Sequence, residues 1–277
     1  MCRLCKTSFP HVALRRTFLL AAVSAAATPV LAQVDVGKTS AMARLVPAGT
    51  LEKSAAQQYS QMMAEAKAQG ALASPNHAQL QRLRAIAQRL VPYTPQWNER
   101  APGWKWEVNL IGSKQINAFV MPGGKIVFYT GILDQLQLTD DEIAMVMGHE
   151  MAHALREHAR ERLAKSQVTG MGLSLGAQLL GLGDMGNLAA NLGTELLTLQ
   201  YSRSDESEAD LVGLEIAARA GYDPKAAITL WQKMAKATGD KGGMAFLSSH
   251  PSGPNRIKEL EANLPKVEPL YRQARKG

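Results

Sequence analysis

Gly148-His149-Glu150-Met151-Ala152-His153 is the stretch that decides the fold. On a helix, two histidines four residues apart sit about 40° apart round the axis and about 6 Å apart along it. Both imidazoles can then reach one tetrahedral zinc ion at the usual Zn–N distance of about 2 Å. Glu150 faces the same pocket without needing to bind the metal, and it can take a proton from the water that such an ion activates. The competing reading is a surface helix that happens to carry two histidines.

The context is helical. Thr139-Asp140-Asp141-Glu142 reads as a capping box with acids at the positive end of the helix dipole. Ile143, Val146 and Met147 supply an apolar face, and the pattern predicts a helix running on to about Arg162. Two histidines need a third protein ligand, leaving one position open. His158, five residues past His153, would turn about 140° away on a continuous helix, so it reads as a supporting histidine, not a ligand. Tyr201 to Asp210 offers a better candidate. In a helix continuing to Ala220 and stopped by Gly221, Glu206 and Asp210 share one face while Glu208 points elsewhere. Glu206 could bind the metal and Asp210 could accept the free ring N–H of a ligating histidine. Taken alone, these acids also fit an ordinary charged helix face.

Residues 1–32 read as an export signal. A basic, acid-free start ends in Arg15-Arg16, an uncharged Leu- and Ala-rich core follows, and Val30-Leu31-Ala32 ends in a small residue. Arg15-Arg16-Thr17-Phe18-Leu19 also resembles a twin-arginine signal. Both cysteines, Cys2 and Cys5, lie in this leader, so residues 33–277 hold no disulfide and no thiol ligand. The leader also holds Arg3, Lys6, Arg15 and Arg16. Without these four cations the formal net charge falls from +7 to +3. No basic run interleaved with aromatics remains, which argues against nucleic-acid binding.

Residues 33–74 read as a loose arm followed by a helix over Leu51 to about Gln69. A second helix is expected from Pro75 to Leu90, capped by Ser74, with His77 a solvated residue on its first turn. Trp104 to Leu110 alternates as a strand, and Ala118–Met121, Pro122-Gly123-Gly124 and Lys125–Thr130 read as a hairpin. Between Lys165 and Glu195 only Asp184 is charged, but interspersed glycines and asparagines break any run of about 20 apolar residues, so a membrane span is not expected there. Residues 168–193 read as partly helical segments beside the cleft, with peripheral membrane contact as the alternative. A further helix is expected from Pro224 to Ala237, then a Gly-rich loop at Gly239 to Gly243, and a last helix from near Pro254.

His149-Glu150-Met151-Ala152-His153 together with Glu206-Ser207-Glu208-Ala209-Asp210 resembles the gluzincin metallopeptidases that group the HtpX heat-shock protease, the type I CAAX prenyl protease and BepA-like periplasmic proteases. The likeness extends to Asn117-Ala118-Phe119, Pro122-Gly123-Gly124, Gly131-Ile132-Leu133, Ala220-Gly221-Tyr222-Asp223-Pro224 and Ser249-His250-Pro251 with Arg256-Ile257. It covers roughly Pro75 to Leu264. The chain resembles a small exported branch, without the spans of the membrane members or the repeat domain of the longer soluble ones. The resemblance implies a zinc endopeptidase with His149, His153 and Glu206 as ligands and Glu150 as base. His250 would approach the open zinc position, either donating to the developing oxyanion or capping the metal. Arg256 would stabilise the same charge or pair with Asp210 or Glu206; loop packing is the alternative for both.

The expected fold is α+β, a mostly helical zincin-like domain over 75–264 with one small antiparallel or mixed sheet beside the motif helix and a tail over 265–277. The expected activity is zinc-dependent hydrolysis of extended or misfolded envelope proteins in protein quality control, with one zinc per chain, in the bacterial periplasm. The alternatives are a zinc-bearing chaperone or assembly factor with a capped centre, and a membrane-associated interaction protein.

Overall fold

The structure, a computed structural model, describes residues 34–168, 199–240, 245–250 and 255–276. The leader reading, the Gly-rich stretch after Val168, and most of the loop before Ala245 lie outside the described residues. Besides three short 3-10 helices, nine α-helices and three strands follow one another within them. They are helices α1 (Ala48–Ala68) and α2 (Ala78–Leu90), strands β1 (Glu107–Ile111), β2 (Ala118–Met121) and β3 (Lys125–Tyr129), then α3 (Thr130–Leu136), α4 (Asp140–Leu155), α5 (His158–Val168), α6 (Arg203–Arg219), α7 (Ala226–Asp240), α8 (Ala245–Ser249) and α9 (Arg256–Ala274).

The described strands form one mixed sheet in the order β1-β3-β2. The expected hairpin is present, with Val120 opposite Ile126 across an antiparallel β2–β3 pair. β1 instead joins β3 in parallel, Leu110 beside Phe128. Alternation along β3 buries both faces. Ile126 and Phe128 enter the main core with α2, α3 and α4, while Val127 packs with Ala55, Tyr59 and Ala66 of α1. β2 is left at the edge of the sheet nearest α4.

α4 is buried from Glu142 to Leu155, as a helix at the centre of a layered domain must be. Its capping box forms as read: Thr139 Oγ1 accepts from the Glu142 N–H, and Glu142 Oε2 accepts from the Thr139 N–H. Burial alone would push the Glu142 carboxyl up, but Lys233, the Thr139 amide and Thr229 hold it below its usual range, tying α7 to the start of α4.

α6 packs along α4 more closely than ordinary side chains allow. A Cβ on Gly148 would lie 2.8 Å from the Gly213 carbonyl oxygen, and one on Gly213 would lie 2.5 Å from the His149 nitrogen. The two helices therefore meet backbone to backbone one residue before the first histidine.

Three expectations are corrected. α2 begins at Ala78, because Ser74 to His77 form a turn closed by the His77 N–H on the Ser74 carbonyl. The motif helix does not continue to Arg162: it stops at Leu155, Glu157 takes a left-handed conformation with φ 63°, and α5 restarts at His158. A left-handed non-glycine costs about 1–3 kcal/mol and persists only where its surroundings hold it. Here Asn98 donates to the Leu155 carbonyl at the helix end, and Arg100 and Arg160 grip the Glu157 carboxylate. Third, residues 265–277 are not a tail. α9 runs through Pro265 and Pro269 to Ala274, because Leu260, Val267 and Leu270 are buried on one face. Burying these three side chains, at about 1.5–3 kcal/mol each, offsets the two prolines' cost of about 3 kcal/mol each.

Gly213→Ala is expected to lower stability by about 1–3 kcal/mol through overpacking against α4. Denaturant unfolding measures it, and an unchanged midpoint would show that the helices separate freely.

Candidate metal centre

α4 presents His149 and His153 one turn apart, with Glu150 between them. α6 brings the acids. Ser202 caps it by accepting from the Asp205 N–H, and Asp205 accepts from the Ser202 N–H, which sets Glu206 in the first turn at the positive end of the helix dipole. Glu206 and Asp210 then face α4 together. His250 directly follows α8, its ring stacked on Phe246 at 4.5 Å. Arg256 opens α9.

The donor atoms converge. His149 Nε2 and His153 Nε2 are 3.1 Å apart, and they lie 3.4 and 3.3 Å from the two Glu206 oxygens. His250 Nδ1 is 3.0 Å from Glu206 Oε1 and 3.4 Å from His149 Nε2. A tetrahedral zinc ion with bonds of about 2.0–2.1 Å sets its ligand atoms about 3.3 Å apart. Histidine and carboxylate donors at these spacings fit zinc, and none of the four residues is more than 4% exposed.

The surroundings orient these donors. The His149 Nδ1–H donates to Asp210 Oδ1 at 2.9 Å, which leaves Nε2 free to ligate. Arg256 grips both Asp210 oxygens and donates from Nη1 to Glu206 Oε2 at 3.0 Å. Its guanidinium lies 3.5 Å over the Trp231 ring. Of the two sequence readings for Arg256, the geometry brings about the pairing, with both acids at once. Glu150 is buried, and its Oε1 has no hydrogen bond among the described residues; His250 Nε2 is 3.5 Å away. Glu150 and His250 line a cavity of about 220 Å³ whose opposite wall is β2, through Phe119 and Met121.

Every candidate named from sequence therefore lies in one cluster. Sequence reasoning missed several partners: Gly213, Trp231 beneath Arg256, and Tyr201, whose ring stacks on His153 at 3.9 Å. His158, read as a supporting histidine, touches His153 and lies outside the donor set, although the continuous helix expected there would have turned it away. The Ser202–Asp205 capping box was legible and would have fixed the start of α6.

Without metal, these groups perturb one another. Burial disfavours charge on His149, but hydrogen bonds to Asp210 and Glu206 push its pKa up to about 9. Burial drives His153 well below the ordinary value, opposed by Glu206. Burial also pushes the Glu150 carboxyl up, against the pull of His250 and His149. Burial would raise the Glu206 carboxyl too, but its three histidine partners hold it well below the carboxylate range.

Residues 77–264 match the sequence pattern of peptidase family M48. The mitochondrial metalloendopeptidase OMA1 of Schizosaccharomyces pombe is 39% identical over 166 residues, which are 59% of this chain and 48% of that protein. The metalloprotease LoiP of Escherichia coli is 30% identical over 158 residues, 53% of this chain and 58% of that one. The beta-barrel assembly-enhancing protease of Escherichia coli is 27% identical over 175 residues, 60% and 36% respectively. The chain thus matches between about a third and three-fifths of the length of these relatives.

A histidine whose folded pKa is raised stabilises the fold below its unfolded value, and that stability is lost as pH rises through the folded value. For His149 the window runs from an unfolded value of about 6.5 to about 9. The melting temperature of the metal-free protein is expected to fall across that window, read by thermal unfolding in EDTA. His149→Gln should flatten the slope; a slope left intact would remove His149 as its source.

Proposed function

The chain belongs to peptidase family M48, and we propose that it is a zinc-dependent metalloendopeptidase acting on extended polypeptide. The observation that supports this most directly is the buried quartet of His149, His153, Glu206 and His250 with Glu150 beside it, whose Oε1 has no hydrogen bond among the described residues. Zinc, when bound, supplies a Lewis acid that polarises a peptide carbonyl and lowers the pKa of a water to about 7. His149, His153 and Glu206 hold the ion. Asp210 keeps the His149 hydrogen on Nδ1, and Arg256 keeps Asp210 ionised and holds Glu206 in place. Glu150 takes a proton from the attacking water and returns it to the leaving amine nitrogen.

β2, at the sheet edge and lining the same cavity, suits an extended substrate that pairs by its backbone. Such recognition needs an unfolded segment and little sequence, in keeping with a quality-control role on extended or misfolded proteins.

A second reading rests on His250. Its Nδ1 sits among the donor atoms and its Nε2 near Glu150, so the side chain fills the space that the reacting groups need. The form described is then a capped one. A capped centre also accommodates a zinc-bearing assembly factor, and one relative is named as enhancing beta-barrel assembly.

The compartment follows from two opposed observations. The leader pattern over 1–32 supports export to the bacterial envelope, whereas several relatives are named as mitochondrial. No helix among the described residues is long and apolar enough to cross a membrane. Export remains our reading. Recovery in cytoplasmic fractions with residues 1–32 still attached would overturn it.

Glu150→Gln is expected to lower cleavage of an unfolded test protein by roughly 10²–10⁴-fold with one zinc still bound. Equal cleavage by both forms would sink the assigned base. His250→Ala is expected to raise cleavage severalfold if the side chain is a cap; a fall in rate would assign it instead to the developing oxyanion.

A further inference from the structure

His158 owes its position to the break after α4. On a continuous helix it would point about 140° away from His153. The left-handed Glu157 turns the chain so that His158 Nδ1 comes to 2.9 Å from His153 Nδ1, the rings meeting edge to face at 5.0 Å. Two imidazole nitrogens at that distance share one hydrogen, so one donates and the other accepts.

The direction follows from the donor cluster. His153 Nε2 is the atom beside His149 and Glu206, so a metal there takes its lone pair and leaves the ring hydrogen on Nδ1. His153 therefore donates, and His158 accepts on Nδ1 and carries its own hydrogen on Nε2. That nitrogen is buried and faces Glu208 Oε2 at 3.5 Å, long for a hydrogen bond. Glu208 is held in turn by the Arg156 guanidinium, whose Nη2 donates to the Gly37 carbonyl at 2.9 Å. Glu208 lies on α6 two residues past Glu206, so it points away from the donor cluster and toward this second histidine.

We propose that His158, backed by Glu208 and Arg156, is the positioning residue that fixes the tautomer and ring orientation of His153, as Asp210 and Arg256 do for His149. The inference rests on His149, His153 and Glu206 being the zinc ligands. Each ligating histidine then has its own relay: a carboxylate for the first, a neutral imidazole for the second. Both relays draw their acids from α6.

Zinc affinity tests this without relying on activity. It is measured by competition with a chromophoric chelator, with the visible spectrum of the Co²⁺ form as a second reading. His158→Phe keeps the ring and removes both nitrogens; His158→Asn returns an amide acceptor near the Nδ1 position. The Phe variant is expected to bind zinc roughly 10–100-fold more weakly and to alter the Co²⁺ spectrum, with most of the loss recovered by Asn. The melting temperature of each metal-free variant is measured alongside, since Phe leaves the buried His153 ring hydrogen without a partner, and affinities are compared at a temperature where all three are folded. Equal zinc affinity in wild type and Phe variant would overturn the relay, as would equal losses in Phe and Asn. Should the Phe variant not fold, Glu208→Gln carries the test: a severalfold loss supports the relay and an unchanged affinity overturns it. A wild-type chain that binds no zinc would instead overturn the ligand assignment, and the relay with it.

Discussion

The closeness of α4 and α6 at Gly148 and Gly213 is the constraint on which the centre depends. With no side chain between them, the two backbones meet where the first histidine leaves α4. Glu206 and Asp210, on the same helix as Gly213, are thereby brought within hydrogen-bond distance of His149. Any larger residue at either glycine would open the space between the donors on one helix and those on the other. Ligand spacings near 3.3 Å tolerate little of that. The rigidity of a doubly buried helix pair supplies the precision that a loop-borne site would lack.

Charge is the second constraint. Glu150, Glu206 and Asp210 are all buried in this cluster, and Arg256 is the permanent cation that touches two of them. Buried carboxylates require compensation. In the metal-free protein a proton on His149 supplies part of it, which is why that ring is so basic. A divalent cation at the same place supplies it more fully and displaces that proton, so proton and metal compete for one role. Arg256 is suited to its share because its planar fork meets both Asp210 oxygens while its face rests on Trp231.

Much of this was legible in the sequence because the signals were local. The histidine spacing, the Thr139 box, the glycine turn of the hairpin and the i,i+4 acids of α6 each follow from a few neighbouring residues. What escaped depends on distant ones. The stop at Leu155 is enforced by Asn98 and by Arg100, some 57 residues earlier. Nothing between His153 and Arg162 breaks a helix by its own propensity. The continuation of α9 through two prolines follows from a core that Val267 and Leu270 help to fill. The parallel pairing of β1 with β3 required knowing which edge α1 and α2 leave open. Gly148 stood in the quoted motif, yet its purpose became visible only beside Gly213.

The order of the parts along the chain has a consequence for how the centre comes into being. His149 and His153 are made first, the acids of α6 some fifty residues later, and His250 and Arg256 later still. Proteins are synthesised from the N-terminus and segments begin to fold as they emerge. A nascent chain that ends before Arg256 would hold Asp210 and Glu206 without the guanidinium that gathers them, and α6 without the helix that packs over it. The donor set is completed only once α8 and α9 have emerged. The centre is thus assembled in the order of the chain, its histidine pair first and the guanidinium that gathers its acids last.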